Sequence, residues 1–128
     1  MKNLRFTKLW LLLGGIMIGL VAYLSLIPVP SEMPSFFGLD KLVHLFVYAF
    51  LMFWFGLCYV SGARYYAIGV GLILIGAMLE LIQGSTGYRT MSYLDMSANS
   101  LGVVLGWSLS KTRLSKALVY VERILGFH

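Results

Sequence analysis

Between Lys8 and Pro28 the chain runs from Leu9 to Ile27 without a single charged residue. As a helix, those 19 residues would rise about 28 Å at about 1.5 Å each, close to the roughly 30 Å hydrocarbon core of a bilayer. Lys2, Arg5 and Lys8 precede the run as the basic region of a secretory signal would. The run is longer than the roughly 7–15 apolar residues of such a signal, however, and no small-x-small cleavage site follows it. We therefore expect a retained membrane span.

Further runs follow. Leu42 to Val60 is rich in aromatics and interrupted only by His44, and Tyr66 to Gly84 carries one acid, Glu80. Asp95 to Ser110 is shorter and holds Ser97, Asn99 and Ser100, which suits a helix enclosed by the other three. Of 128 residues, 59% are hydrophobic and 12% charged, against about 25% charged in a soluble domain. A soluble chain this short could not bury so much apolar surface. Nucleic-acid binding, disorder and disulfide-stapled secretion are accordingly poor readings despite the net charge of +5. Cys58 is the only cysteine, so no intrachain disulfide forms, and its apolar neighbours suit a buried or lipid-facing thiol.

The expectation is an all-α polytopic membrane protein: a four-helix transmembrane bundle over residues 1–110 and a tail over 111–128. Lys2, Arg5, Lys8, Arg64, Lys111, Arg113, Lys116 and Arg123 fall on one side, Lys41 and Arg89 on the other. Cytoplasmic flanks are enriched in Lys and Arg, so both termini are expected in the cytoplasm. In the tail, Leu114, Leu118, Val121 and Leu125 recur at helical spacing among Lys111, Arg113, Lys116, Glu122 and Arg123. That pattern predicts an amphipathic helix on the anionic inner leaflet.

With this topology His44, Glu80 and Asn99 each lie about four residues inside a span, about 6 Å deep at 1.5 Å per residue, all on the outer side. Asp40 and His44 share a helix face with Tyr48. Gly69, Gly76, Glu80 and Gln83 form a second stripe, and Asp95, Asn99, Gly102 and Gly106 a third. Small residues let membrane helices approach closely, so these faces are expected to point at one another. An acid inside a membrane needs a partner, and Arg89 is the first choice for Glu80, with Lys41 and His44 next. The structural alternatives are plain. Asp40 and Asp95 could serve only as helix N-caps, Asn99 could only tie helices together, His44 could be an ordinary bundle histidine, and Arg89 could sit at the headgroups.

No Gly-rich phosphate loop, H-E-x-x-H or G-x-S-x-G occurs. Asp40, His44, Glu80 and Asp95 could in principle hold a metal, but Lys41 and Arg89 nearby would oppose a cation. Neither metal nor cofactor is expected.

Asp40, Lys41 and His44 read as D-K-x-x-H at the opening of a span. Glu80 and Gln83 read as E-x-x-Q, followed in order by Arg89, Ser92, Asp95, Asn99 and Gly102. Together these motifs resemble the VanZ-like family of small four-span bacterial membrane proteins, over about residues 9 to 110. The chain departs from the family pattern at Gly84-Ser85-Thr86-Gly87-Tyr88, where the family often has an apolar stretch with Pro-Gly. The family takes its name from a protein associated with resistance to the glycopeptide teicoplanin, so the resemblance implies a cell-envelope setting. In that setting the polar residues read as a site that binds or modifies an anionic envelope lipid or cell-wall precursor, Lys41 and Arg89 holding its phosphate or carboxylate. Glu80, His44 and Asp95 would carry any chemistry, and Asp40, Lys41, Gln83, Arg89, Ser92 and Asn99 would bind. The competing readings are a structural or accessory membrane module and a small transporter or flippase subunit. Membrane lipids are the expected partners; nucleic acid is not, and self-association is compatible with the sequence.

Overall fold

A computed structural model describes residues 4–28, 38–59 and 62–126. Lys2 and Val60, which entered the charge and span assignments, lie outside the described residues, as do the tail's Phe127 and His128. The described chain is helical, with no strand: α1 (Thr7–Leu26), α2 (Leu39–Cys58), α3 (Ala63–Ser85), α4 (Tyr93–Leu109), a 3-10 turn (Arg113–Lys116) and α5 (Ala117–Ile124).

Among the described residues α1, α2 and α3 are long and apolar enough to cross a membrane. The expected fourth span is less complete: α4 has 17 residues, about 26 Å at about 1.5 Å each, short of the roughly 30 Å core. Each of the four helices starts two or three residues before its apolar run. For α1, α2 and α3 the reason is simple: a helix continues through an interfacial polar turn, whereas a hydropathy run stops near the first charge; α4 begins directly after its N-cap Ser92.

The four helices run alternately up and down. One end of the bundle, here the loop end, holds the close of α1, the start of α2, the close of α3 and the start of α4. The other, the terminal end, holds the start of α1, the close of α2 and α5. Helices α2 and α4 form the tightest seam, and two glycines allow it. A Cβ on Gly102 would collide with the carbonyl oxygen of Leu45, and one on Gly106 with that of Ala49. The expected stripes are inward-facing: Gly69, Gly76, Glu80 and Gln83 on α3 are buried, as are Asp95, Asn99, Gly102 and Gly106 on α4. Tyr48, Leu51, Met52, Tyr65, Leu72 and Val103 fill the space between them. Helix α1 stays at the periphery, with Leu12, Ile16, Leu20 and Tyr23 all more than half exposed.

The tail departs from the expected simple surface helix. Of its apolar stripe only Leu118 is buried, packed with Leu4, Leu57 and Cys58, while Leu114 and Leu125 are exposed. Glu122, one turn beyond Leu118, is also buried. It accepts the backbone N–H groups of Arg5 at 2.9 Å and Phe6 at 3.1 Å, and Trp10 Nε1 at 2.7 Å. A helix start carries unsatisfied donors and partial positive charge. The tail thus supplies from 112 to 117 residues away the acid that the first turn of α1 lacks.

Candidate functional site

At the loop end four side chains from three helices converge. His44 projects from α2, Glu80 from α3, and Asp95 and Asn99 from α4. Asn99 packs closely on α3: a Cβ on Gly76 would come within 2.9 Å of its Nδ2, so the glycine makes room for it. His44 Nδ1 is 2.9 Å from Asn99 Oδ1. An amide oxygen only accepts, so in this pair Nδ1 carries the proton. The same nitrogen is 3.8 Å from Glu80 Oε1, and Glu80 Oε2 accepts the backbone N–H of Ser92 at 3.1 Å.

The start of α4 explains how that last bond arises. Ser92 is the N-cap, and its Oγ accepts the N–H of Asp95 at 3.2 Å. In a reciprocal capping box the acid three residues on would take the cap's own N–H. Here Glu80 of α3 takes it instead, which leaves the Asp95 carboxylate facing elsewhere. Asp95 Oδ1 lies 3.2 Å from Lys41 Nζ, an ion-pair distance, yet this buried oxygen has no aligned hydrogen-bond donor. Neither aspartate is an N-cap as the structural alternative supposed: the caps are Gly38 and Ser92.

The remaining predicted residues divide. Asp40 is exposed and pairs with Lys41 at 3.2 Å, so it sits at the mouth of the cluster. Arg89 does not pair with Glu80; among the described residues no Lys or Arg nitrogen lies within 4.0 Å of that carboxylate. Arg89 Nη1 instead donates to the Ser25 carbonyl at 2.9 Å, and Gln83 Nε2 donates to the same oxygen at 2.6 Å. Tyr88 OH donates to the Leu26 carbonyl at 2.5 Å. These three close the C-terminal end of α1, where orphan carbonyls and partial negative charge favour a cation and donors. Ser25 and Tyr88 escaped the sequence reading. A main-chain carbonyl leaves no mark in a sequence, and Tyr88 lies in the departure segment. Glu122 did leave a signal, as an acid in register with Leu118.

Burial grades the cluster: Glu80 is 1% exposed, Asn99 2%, Asp95 8%, and the His44 side chain 18%. One ring nitrogen of His44 and one carboxylate oxygen each from Glu80 and Asp95 lie within 4.8 Å of one another. Such a set can accept protons, orient a polar ligand or coordinate a cation. Against protein-family models, curated proteins and solved structures, the chain matches none.

Proposed function

We propose that the chain is a VanZ-like protein of the bacterial cytoplasmic membrane, in which α4 completes a four-span bundle with both termini in the cytoplasm. In this reading the loop end faces outward and binds or modifies an anionic envelope lipid or cell-wall precursor, with an effect on teicoplanin susceptibility. The observation that carries it is the convergence of buried Glu80, Asp95 and Asn99 with half-buried His44 at one end of an otherwise apolar bundle. Ionisable groups within membrane segments are costly and concentrate at functional sites. The charge count supports the orientation, since the loop end holds Lys41 and Arg89 while the other side holds the remaining Lys and Arg residues.

Roles follow from placement. Lys41, at the cluster's mouth, is the first contact for an anionic headgroup. Arg89 keeps further guanidinium donors beyond the one given to Ser25, and guanidinium suits phosphate or carboxylate. The His44–Glu80 pair is the proton acceptor of any chemistry, being within a few ångströms of one another and enclosed. Asp95 holds Lys41, and Ser92 and Asn99 position Glu80 and His44.

Glu80→Gln and Arg89→Ala variants, expressed at wild-type level, test this reading through envelope-lipid composition and glycopeptide susceptibility. Altered lipid profile or susceptibility in both is expected; unchanged profiles in both would remove the reading. A purely structural role is favoured for one subset by a specific observation: Gln83, Tyr88 and Arg89 all hydrogen-bond to the last carbonyls of α1. In that case Arg89→Ala lowers thermal stability in detergent without a separate phenotype.

A further inference from the structure

The loop-end cluster is short of positive charge. Asp40, Glu80 and Asp95 bring three carboxylates, and the ammonium of Lys41 is the cation within ion-pair distance of Asp40 and Asp95. Arg89, whose charge seemed from the sequence to oppose a bound cation, is turned to the Ser25 carbonyl of α1. Glu80 is almost wholly buried with one backbone donor and an imidazole at 3.8 Å. Asp95 Oδ1 is buried without an aligned donor, its one compensation the Lys41 ammonium at 3.2 Å that is shared with Asp40. A buried carboxylate left in that condition is unfavourable unless a cation or further hydrogen bonds compensate it.

We propose that His44, Glu80 and Asp95 form a binding site for one divalent transition-metal ion of the zinc type. Imidazole nitrogen and carboxylate oxygen are the donors such ions take. The three ligand atoms, from three different helices, already lie within 4.8 Å of one another. Tetrahedral ligands about 2.0–2.2 Å from zinc are about 3.3–3.6 Å apart, so side-chain rotation of about 1 Å closes the set. With Nδ1 donating to Asn99, Nε2 is the ring nitrogen left to bind a metal, and the Asn99 bond orients the ring as outer-shell partners do in metal sites. The fourth position is left to water or to a ligand oxygen, the open position of a non-structural zinc site.

Lys41 is the competitor. Its ammonium stands 3.2 Å from Asp95 Oδ1 and 3.2 Å from exposed Asp40, so it can stay with Asp40 when a metal takes Asp95. This makes a sharp test, because removing Lys41 should strengthen metal binding while removing a ligand weakens it. The site does not rest on the headgroup reading, since zinc binding is measured with no lipid ligand present.

The full chain, purified in detergent and stripped with chelator, is titrated with zinc chloride by calorimetry, and cobalt(II) absorption reports the coordination geometry. One zinc per chain is expected. His44→Gln and Glu80→Gln each weaken it by at least about tenfold, given that loss of even an outer-shell partner costs about 10–100-fold. Lys41→Gln tightens it severalfold. Zinc uptake that is absent, or equal in wild type and the His44→Gln/Glu80→Gln double variant, overturns the proposal, as does weaker binding by Lys41→Gln. Circular dichroism and gel filtration establish that each variant is folded, and Asp95→Asn replaces either ligand variant that is not. A failure here leaves the susceptibility assay of the headgroup reading untouched.

Discussion

Two glutamates are buried at opposite ends of this bundle, and their surroundings differ. Glu122, at the terminal end, is 3% exposed and receives at least three donors among the described residues: the backbone N–H groups of Arg5 and of Phe6, the N-cap of α1, and the indole of Trp10. Glu80, at the loop end, is 1% exposed and receives one backbone N–H, with an imidazole just beyond hydrogen-bond reach. Charge-assisted hydrogen bonds are among the strong ones, and a carboxylate given several of them is locked in place. A carboxylate given one, beside a second acid whose own oxygen lacks a donor, keeps capacity for something else. Burial alone does not separate a structural acid from a functional one; the tally of aligned donors does.

The largest expected effect falls on the seam that both ends share. Gly106→Val drives two methyl groups toward the Ala49 carbonyl and should cost about 3 kcal/mol. Thermal unfolding in detergent then shows both ends lost in one early transition. If the ends melt separately, they are independent units and the comparison must be redrawn.

Next comes Glu122→Ala, which strands three donors and should cost about 2–3 kcal/mol. Limited proteolysis of the tail, faster in the variant, reports the undocking of α5. Glu80→Gln keeps an acceptor for the Ser92 N–H and should cost only about 1 kcal/mol, while abolishing the lipid or susceptibility phenotype. A Glu80→Gln loss of stability exceeding that of Glu122→Ala would break the contrast between the two glutamates.

The smallest effect belongs to Asp40→Asn. Asp40 is exposed and its ion pair with Lys41 is solvent-screened, and exposed pairs contribute little to stability. No change in melting temperature is expected, and a marked drop would place Asp40 inside the cluster instead of at its mouth.

Much of this architecture was legible beforehand. The apolar runs of α1, α2 and α3 are unambiguous because a bilayer-length stretch with at most one acid has few soluble uses. The inward faces of α3 and α4 were readable because glycine and polar residues fell on one stripe in each. What resisted reading was partnership. Arg89 was the natural partner for Glu80 by charge and proximity in sequence, but it serves the carbonyls of α1, whose demand for donors no side chain advertises. Glu122 read as one more charge on an amphipathic tail, yet it is the N-terminal acid of a helix over a hundred residues earlier.

By itself, then, the sequence determined the helical periodicity, the membrane-compatible lengths and the faces that must avoid lipid. These follow from residue type and spacing along one helix. Tertiary structure alone decided which donor meets which acceptor, because main-chain groups at helix ends are the same in every sequence and acquire partners only through packing. His44 meets Asn99 because Gly102 and Gly106 let α4 close on α2, and Ser92 gives its N–H to Glu80 where the start of α4 packs against the close of α3.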